Sequence, residues 1–296
     1  MRFYHALLLT IAGLWLSLNA TAQTNGAFKM ISWNPVQLAS GSPCLLTVEF
    51  ETTPNSLHGE WFGHQVDFFP SADKTVWYAL AGADVETSPG EYTLTLRATL
   101  ADGKTVSTTR EIPIGASHYR EVDLHVPENF VEPDAATLKR IAADVEIKNQ
   151  VFAQSAPMPL WRGNFRLPVQ SPATDSFGTR RIFNGKLASV HRGMDFRAAS
   201  GTAVHASNAG KVILARNLFY EGNCVVIDHG QQFMTVYMHL SKILVSEGQT
   251  VQTRQLLGLS GATGRATGPH LHFAVRWQGA YLDPAILLRM QLPPTP

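Results

Sequence analysis

The sequence predicts an all-β protein with a short helical connector: an N-terminal immunoglobulin-like β-sandwich followed by a C-terminal domain of antiparallel β-sheet. Three observations carry this reading. Short apolar or alternating runs, punctuated by turn residues, fill 27–115; one stretch, 126–155, has helical character; beyond it, strand-like runs return while glycine becomes dense. At 296 residues, 45% hydrophobic and 16% charged, the chain is of globular composition and long enough for two cores. Lys and Arg number 24 against 23 Asp and Glu, a net charge of +1, so no overall field recruits nucleic acid or an anionic membrane and any partner is read locally.

The first residues, "MRFYHALLLTIAGLWLSLNATAQ", have a basic start at Arg2, an apolar stretch from Ala6 to Leu18 and small residues at Ala20 and Ala22. This is the pattern of a secretory signal peptide, assigned to 1–22. The apolar stretch is shorter than the roughly 20 residues that span a bilayer. No later segment is a transmembrane candidate, so an exported protein, periplasmic or extracellular, is expected.

In 27–115 the strand-like runs are "LLTVEF", "WFGHQVDFF", "TVWYAL", "EYTLTLRATL" and "TVSTTREIPI", separated by "TTPNS", "SPG" and "ADGK". Turns at this spacing suggest an antiparallel sandwich, and Asp102-Gly103 marks a hairpin. Trp33, Trp61 and Trp77 are assigned to its core. Cys44 and Cys224 each lie in an apolar β-like run and read as buried small hydrophobes, unbridged. Two cysteines so far apart also exclude a Cys-type zinc site.

In the linker, 126–155, Asp134 is a good N-cap, and Leu138, Ile141, Val145 and Phe152 are placed on an apolar helical face. The last region, 156–296, contains six of the eleven histidines and two related phrases, "GTAVHASNAGKVILA" and "GQTVQTRQLLGLSG". Such self-similarity points to a β-barrel or sandwich of repeated hairpins. A lipoyl- or biotin-carrier domain has the same texture, but no Met-Lys or Asp-Lys pair occurs at a hairpin tip.

Chemistry concentrates in "GPHLHFAV", 268–275. In a strand, His270 and His272 share one face while Leu271 and Phe273 enter the opposite layer. Two imidazoles on one face beside apolar neighbours fit a metal ligand, or a ligand beside a proton-transfer group. Upstream, "HRGMDF" sets His191 four residues before Asp195, with Gly193 allowing a tight path. Two histidines and one aspartate are ligands that Zn²⁺ accepts, leaving a fourth position for water. A third element, "YMHL", puts His239 in an apolar strand where a histidine has little packing reason to be. His205 and His229 sit at turns and are read as ordinary. His58, His64, His118 and His125 are read as surface or structural, and Arg180 or Arg181 either lines a cleft or supports the fold.

The motifs "SFGTRR", "HRGMD", "YMHLS" and "GPHLHF", in this order, resemble the lysostaphin-type (LytM-like) zinc endopeptidases, which cleave peptide cross-links of peptidoglycan. The resemblance covers about residues 160–290 and makes 156–296 a zinc peptidase domain. It implies one Zn²⁺ per chain held by His191, Asp195 and His272, with His270 and His239 as the catalytic pair. No H-E-x-x-H occurs, so a histidine must replace the glutamate base of other zinc proteases; His270 is assigned as base and His239 to the oxyanion, with shared or reversed roles left open by the sequence. The expected function is a zinc metalloendopeptidase acting on peptidoglycan stem peptides or cross-bridges. The alternative is a non-enzymatic activator or binding module for cell-wall amidases, which would show broken motifs, whereas all five positions here are filled. Protein partners and the role of the N-terminal domain are left open.

Overall fold

The computed structural model describes residues 26–124, 134–183 and 186–295. The signal peptide expected at 1–22, the first part of the linker and His125 lie outside them. Among the described residues, no helix is long and apolar enough to cross a membrane.

The front half contains β1 (Phe28–Asn34), β2 (Leu38–Ala39), β3 (Pro43–Phe50), β4 (Pro54–Trp61), β5 (His64–Asp67), β6 (Phe69–Pro70), β7 (Val76–Gly82), β8 (Gly90–Leu100) and β9 (Thr105–Gly115). They form two sheets, in the orders β1-β3-β7-β6 and β2-β9-β8-β4-β5. Along β8, Leu94, Leu96 and Ala98 are buried while their neighbours are not, the alternation of a strand with one face on a core. Asp102-Gly103 turns β8 into β9, with Gly103 at φ +81°. The run "WFGHQVDFF" is two strands: Phe62 and Gly63, at φ +53° and +73°, make a tight turn between β4 and β5. Trp61 and Trp77 are core residues, whereas Trp33 is only half-buried.

A further strand, β10 (Glu121–Leu124), leaves the front half and pairs in parallel with β12 (Arg180–Phe183). Helix α1 (Ala135–Phe152) starts at Asp134, whose side chain accepts from the Thr137 amide. Its packed face keeps Phe152 but otherwise differs from the expected one. Leu138 and Val145 are 53% and 44% exposed, while Asp144, Ile147 and Val151 face the sheet. A buried carboxylate occupies the core-facing position because it accepts from the Phe219 amide at 2.7 Å.

The back half adds β11 (Ala173–Asp175), β13 (Lys186–Val190), β14 (Met194–Phe196), β15 (Ala203–His205), β16 (Gly210–Leu218), β17 (Gly222–Asp228), β18 (Phe233–Ile243), β19 (Thr250–Val251), β20 (Leu256–Ser260), β21 (Leu271–Trp277) and β22 (Ala280–Leu282), closed by a short helix α2 (Pro284–Leu287) behind the Asp283 cap. Strand β12 pairs antiparallel with β13, and the main sheet runs β11-β14-β21-β18-β17-β16-β19. The two related phrases pair reciprocally: β15 of the first lies on β20 of the second, and β19 of the second on β16 of the first. Cys44 and Cys224 are both buried and unbridged.

The halves share one apolar core. Phe69 meets Trp161 edge-on at 5.5 Å, and Gly82 lies so close to Leu282 that a Cβ there would sit 2.4 Å from its methyl carbon. Tyr281 donates its amide to Asp84 Oδ2 at 2.7 Å, fastening β22 to the front half.

His229 differs from the turn histidine the sequence suggests, because it is fully buried. Its Nδ1 donates to the Ala209 carbonyl at 2.7 Å, so its Nε2 accepts from the Thr235 hydroxyl at 2.8 Å. Burial pushes this imidazole down to about 4. A neutral ring in the fold and an ordinary one in the unfolded chain mean that its stabilisation is complete above about pH 6.5 and is lost as pH falls toward 4, by on the order of 3 kcal/mol. Nitrogen-detected NMR at pH 5.5 should show His229 neutral and protonated at Nδ1. The His229→Gln variant, less stable at pH 7, should lose less additional stability than wild type when melted at pH 4.5.

Candidate active site and metal centre

Asp195 on β14 lies directly opposite His272 on β21 in an antiparallel ladder, so the two side chains share a face and His272 Nδ1 stands 2.8 Å from Asp195 Oδ1. His191 follows β13 and reaches the same point: its Nε2 is 3.1 Å from Asp195 Oδ1 and 3.0 Å from His272 Nδ1. The tight path between His191 and Asp195 depends on Gly193. A Cβ there would lie 2.4 Å from His272 Nε2 and 2.7 Å from the Phe273 carbonyl, in space that the His272 ring fills.

The surroundings select the nitrogen that each ring presents. His191 Nδ1 donates to the Ser176 carbonyl at 2.9 Å, with Asp175 Oδ2 at 3.3 Å, leaving Nε2 with its lone pair toward Asp195. Two imidazole nitrogens and one carboxylate oxygen converge on one point, all within 4.8 Å of one another. Lone pairs crowded this way repel unless a proton or a cation lies among them, so the set suits a divalent metal with borderline ligand preference. Burial alone would raise the Asp195 carboxyl, but a proton placed on the facing nitrogen of the His191 or His272 ring, donated to it as a charge-assisted hydrogen bond, outweighs that cost and holds the group well below the carboxylate range. Burial keeps His272 below the ordinary imidazole value, against the pull of Asp195.

His239 and His270 stand beside this set. Leu271 and Phe273 are fully buried behind β21, and His270 precedes that strand, paired with Gly261. His270 Nδ1 donates to the Gly268 carbonyl at 2.8 Å, and its Nε2 lies 3.8 Å from Asp195 Oδ1. His239 reaches the cleft by a different device. It lies in β18 with φ +62°, at a bulge where Val225 and Asn223 face Tyr237 and Leu240. The bulge turns its ring into the cleft, and Nδ1 donates to the Thr263 carbonyl at 2.8 Å. Its ring centroid is 4.7 Å from that of His270 and 6.1 Å from that of His272. Burial, followed by the nearby His272 and His270, pushes His239 down to about 3.

Asp195, His272, His239 and His270 line one cavity of about 310 Å³. Its other walls contain residues that the sequence did not single out: Arg120 just before β10, Val122 within it, Asp175, and Arg265. Arg181 also lines it, 2.9 Å from Asp175 Oδ2 and 3.3 Å from Asp195 Oδ2; Arg180 instead pairs with Glu121 at the exposed surface. Thr263 and Arg265 belong to "GATGRATG", a turn-rich segment before the H-x-H motif that a sequence reader can flag. Arg120 gives no comparable signal, because it arrives through a parallel pairing with a distant segment. His205 stays outside the cavity, as do the exposed His58 and His118 and the half-buried His64.

Three converging ligand atoms and two further imidazoles, set across one antiparallel sheet, define the class as a β-sheet metallopeptidase fold. The model of Peptidase family M23 matches residues 189–284, which include all five of these side chains. A crystal structure from Pseudomonas aeruginosa of a protein assigned to peptidase M23 superposes over 85% of this chain and 95% of its own, with a TM-score of 0.64 and 30% identity. Two proteins of Vibrio cholerae, named peptidoglycan DD-endopeptidase ShyA and ShyB, are 47% identical over 144 residues and 51% over 129. These alignments cover 48% and 42% of this chain, and 33% and 30% of the two relatives, so the chain matches about a third of their length. The chain belongs to Peptidase family M23.

The geometry gives two expectations for metal content. His272→Ala, which leaves one imidazole and one carboxylate, should be purified without stoichiometric metal, as measured by elemental analysis. Gly193→Ala keeps every ligand but displaces the His272 ring, and should weaken metal affinity by about 10- to 100-fold in a chelator competition while circular dichroism stays unchanged.

Proposed function

We propose that this chain is an exported zinc metalloendopeptidase that hydrolyses peptide bonds of peptidoglycan stem peptides or cross-bridges. The observation that carries the reading is the convergence of His191, Asp195 and His272, the last two of which line the cavity that also receives His239 and His270. The names of the ShyA and ShyB relatives support the substrate class. An intact ligand set supports hydrolysis over the amidase-activator alternative. The division into a front sandwich and a peptidase domain is part of the proposal, with the front half and β10 positioning substrate at the cleft wall.

His191, Asp195 and His272 would hold one Zn²⁺. When bound, Zn²⁺ supplies Lewis-acid polarisation of a carbonyl and makes water more acidic. The chain's own groups handle protons. His270 and His239 each commit Nδ1–H to a backbone carbonyl, so each neutral ring offers an Nε2 lone pair to the cleft. His270, nearer to Asp195, is assigned as the base that takes the proton of the attacking water and returns it to the leaving amine. His239 is assigned to the developing charge on the carbonyl oxygen. The resting ring has no Nε2–H, so it donates only after accepting a proton, which ties its role to proton movement within the pair.

Purified wall material from diaminopimelate-type and glycine-bridged sources, digested and analysed by mass spectrometry, tests the reading; intact cross-links in both would overturn it. His239→Ala should keep its metal and fold while turnover falls by about 10² to 10⁴. Metal lost in parallel with activity would make His239 a ligand instead.

A further inference from the structure

The charged groups of the cleft wall are Arg120, Arg181 and Arg265 against Asp175 and Asp195. Their pairing is uneven. Asp175 takes Arg120 at 2.6 Å and Arg181 at 2.9 Å, and Arg181 also reaches Asp195. Arg265 has no carboxylate within ion-pair distance among the described residues. Its neighbour Glu221 is engaged by Lys148 at 2.5 Å. The cleft therefore carries one uncompensated guanidinium in a chain whose net charge is only +1.

Arg265 is exposed but held in place. Its guanidinium carbon lies 4.4 Å from the centre of the Tyr220 ring, and its backbone amide donates to the Tyr220 carbonyl at 2.9 Å. The segment is fixed two residues earlier. The Thr263 hydroxyl accepts from the Asn223 amide and donates to the Leu240 carbonyl, while the Thr263 carbonyl receives His239 Nδ1–H. Gly264 packs against Gly222 so closely that a Cβ would lie 2.3 Å from its nitrogen. The same residue thus orients His239 and anchors the loop that presents Arg265. A guanidinium held over a ring face, with no hydrogen bond or ion pair of its own side chain among the described residues, keeps its N–H donors for a planar anion.

We infer that Arg265 is a specificity-determining residue that receives a free carboxylate of the substrate beside the scissile bond, so that the cleft takes acidic stem peptides in preference to uncharged glycine bridges. The inference rests on the hydrolytic reading of the site and names its substrate class. The shared chemistry is a carboxylate, from either a peptide C-terminus or the side chain of a diamino diacid.

The test uses the full-length, zinc-loaded chain and three versions of one cross-linked stem peptide: unmodified, amidated at the C-terminus, and amidated on the diacid side chain. Wild type should lose about 10- to 100-fold in kcat/KM on one amidation, the range for a charge-assisted pair, and that arm identifies the source. Arg265→Gln should treat acid and amide alike, and Arg265→Lys should regain part of the preference. A wild-type enzyme indifferent to both amidations overturns the inference, as does an Arg265→Gln enzyme that is slower yet keeps the acid preference. If wild type cleaves none of the peptides, the hydrolytic reading fails by itself. Calorimetric binding of acid and amide peptides to wild type and Arg265→Gln then decides the inference: acid preference lost in the variant supports it, and equal binding of all peptides overturns it.

Discussion

The placement of Asp195 opposite His272 on adjacent antiparallel strands is the constraint on which the cleft depends. Cross-strand pairing gives two side chains a common face and a separation that neither loop nor rotamer freedom has to supply. Once that pair is fixed, His191 has one place to go, because the turn through Gly193 must pass where the His272 ring leaves room. The fully buried Leu271 and Phe273 on the opposite face of β21 hold the strand in register, since a slip of one residue would exchange histidines for core side chains.

Period-two alternation made much of this site legible in the sequence. His270 and His272 stand out because polar rings alternate with residues that must be inside, and His191 and Asp195 stand out through their spacing around a glycine. The illegible parts have definite physical causes. Asp144 conceals the packed face of α1, because a carboxylate in a core-facing position reads as solvent-exposed until its partner, the Phe219 amide, is known. His229 reads as a turn residue because its satisfied position depends on Ala209 and Thr235, neither adjacent in sequence. The φ of +62° at His239 has no residue-type signature, as bulges are set by the ladder on both sides.

The joint between the halves is built from pairings and contacts that composition does not register. Residues 116–125 lie between the expected sandwich and the expected linker and carry no assignment from the sequence, yet β10 pairs with β12 and brings Arg120 and Val122 to the cleft wall. Parallel pairing between distant segments leaves no local pattern to read. The contact of Gly82 with Leu282 and of Phe69 with Trp161 makes the two cores continuous, so the front half is packed against the body of the sheet that carries the site.

Backbone carbonyls decide what the histidines can do. Ser176, Thr263 and Gly268 each accept an Nδ1–H, from His191, His239 and His270, and thereby turn three Nε2 lone pairs toward the cleft. His272 is the exception: placed within a regular strand, its Nδ1 faces Asp195 directly and its Nε2 is pressed toward Gly193. His229 has the same Nδ1-to-carbonyl arrangement as the first three, but its Nε2 is consumed by Thr235 within the core. Chemistry therefore depends less on having histidines than on where the second ring nitrogen ends. A lone pair left open in a cleft can bind a metal or move a proton, whereas one closed by a hydroxyl can only support the fold.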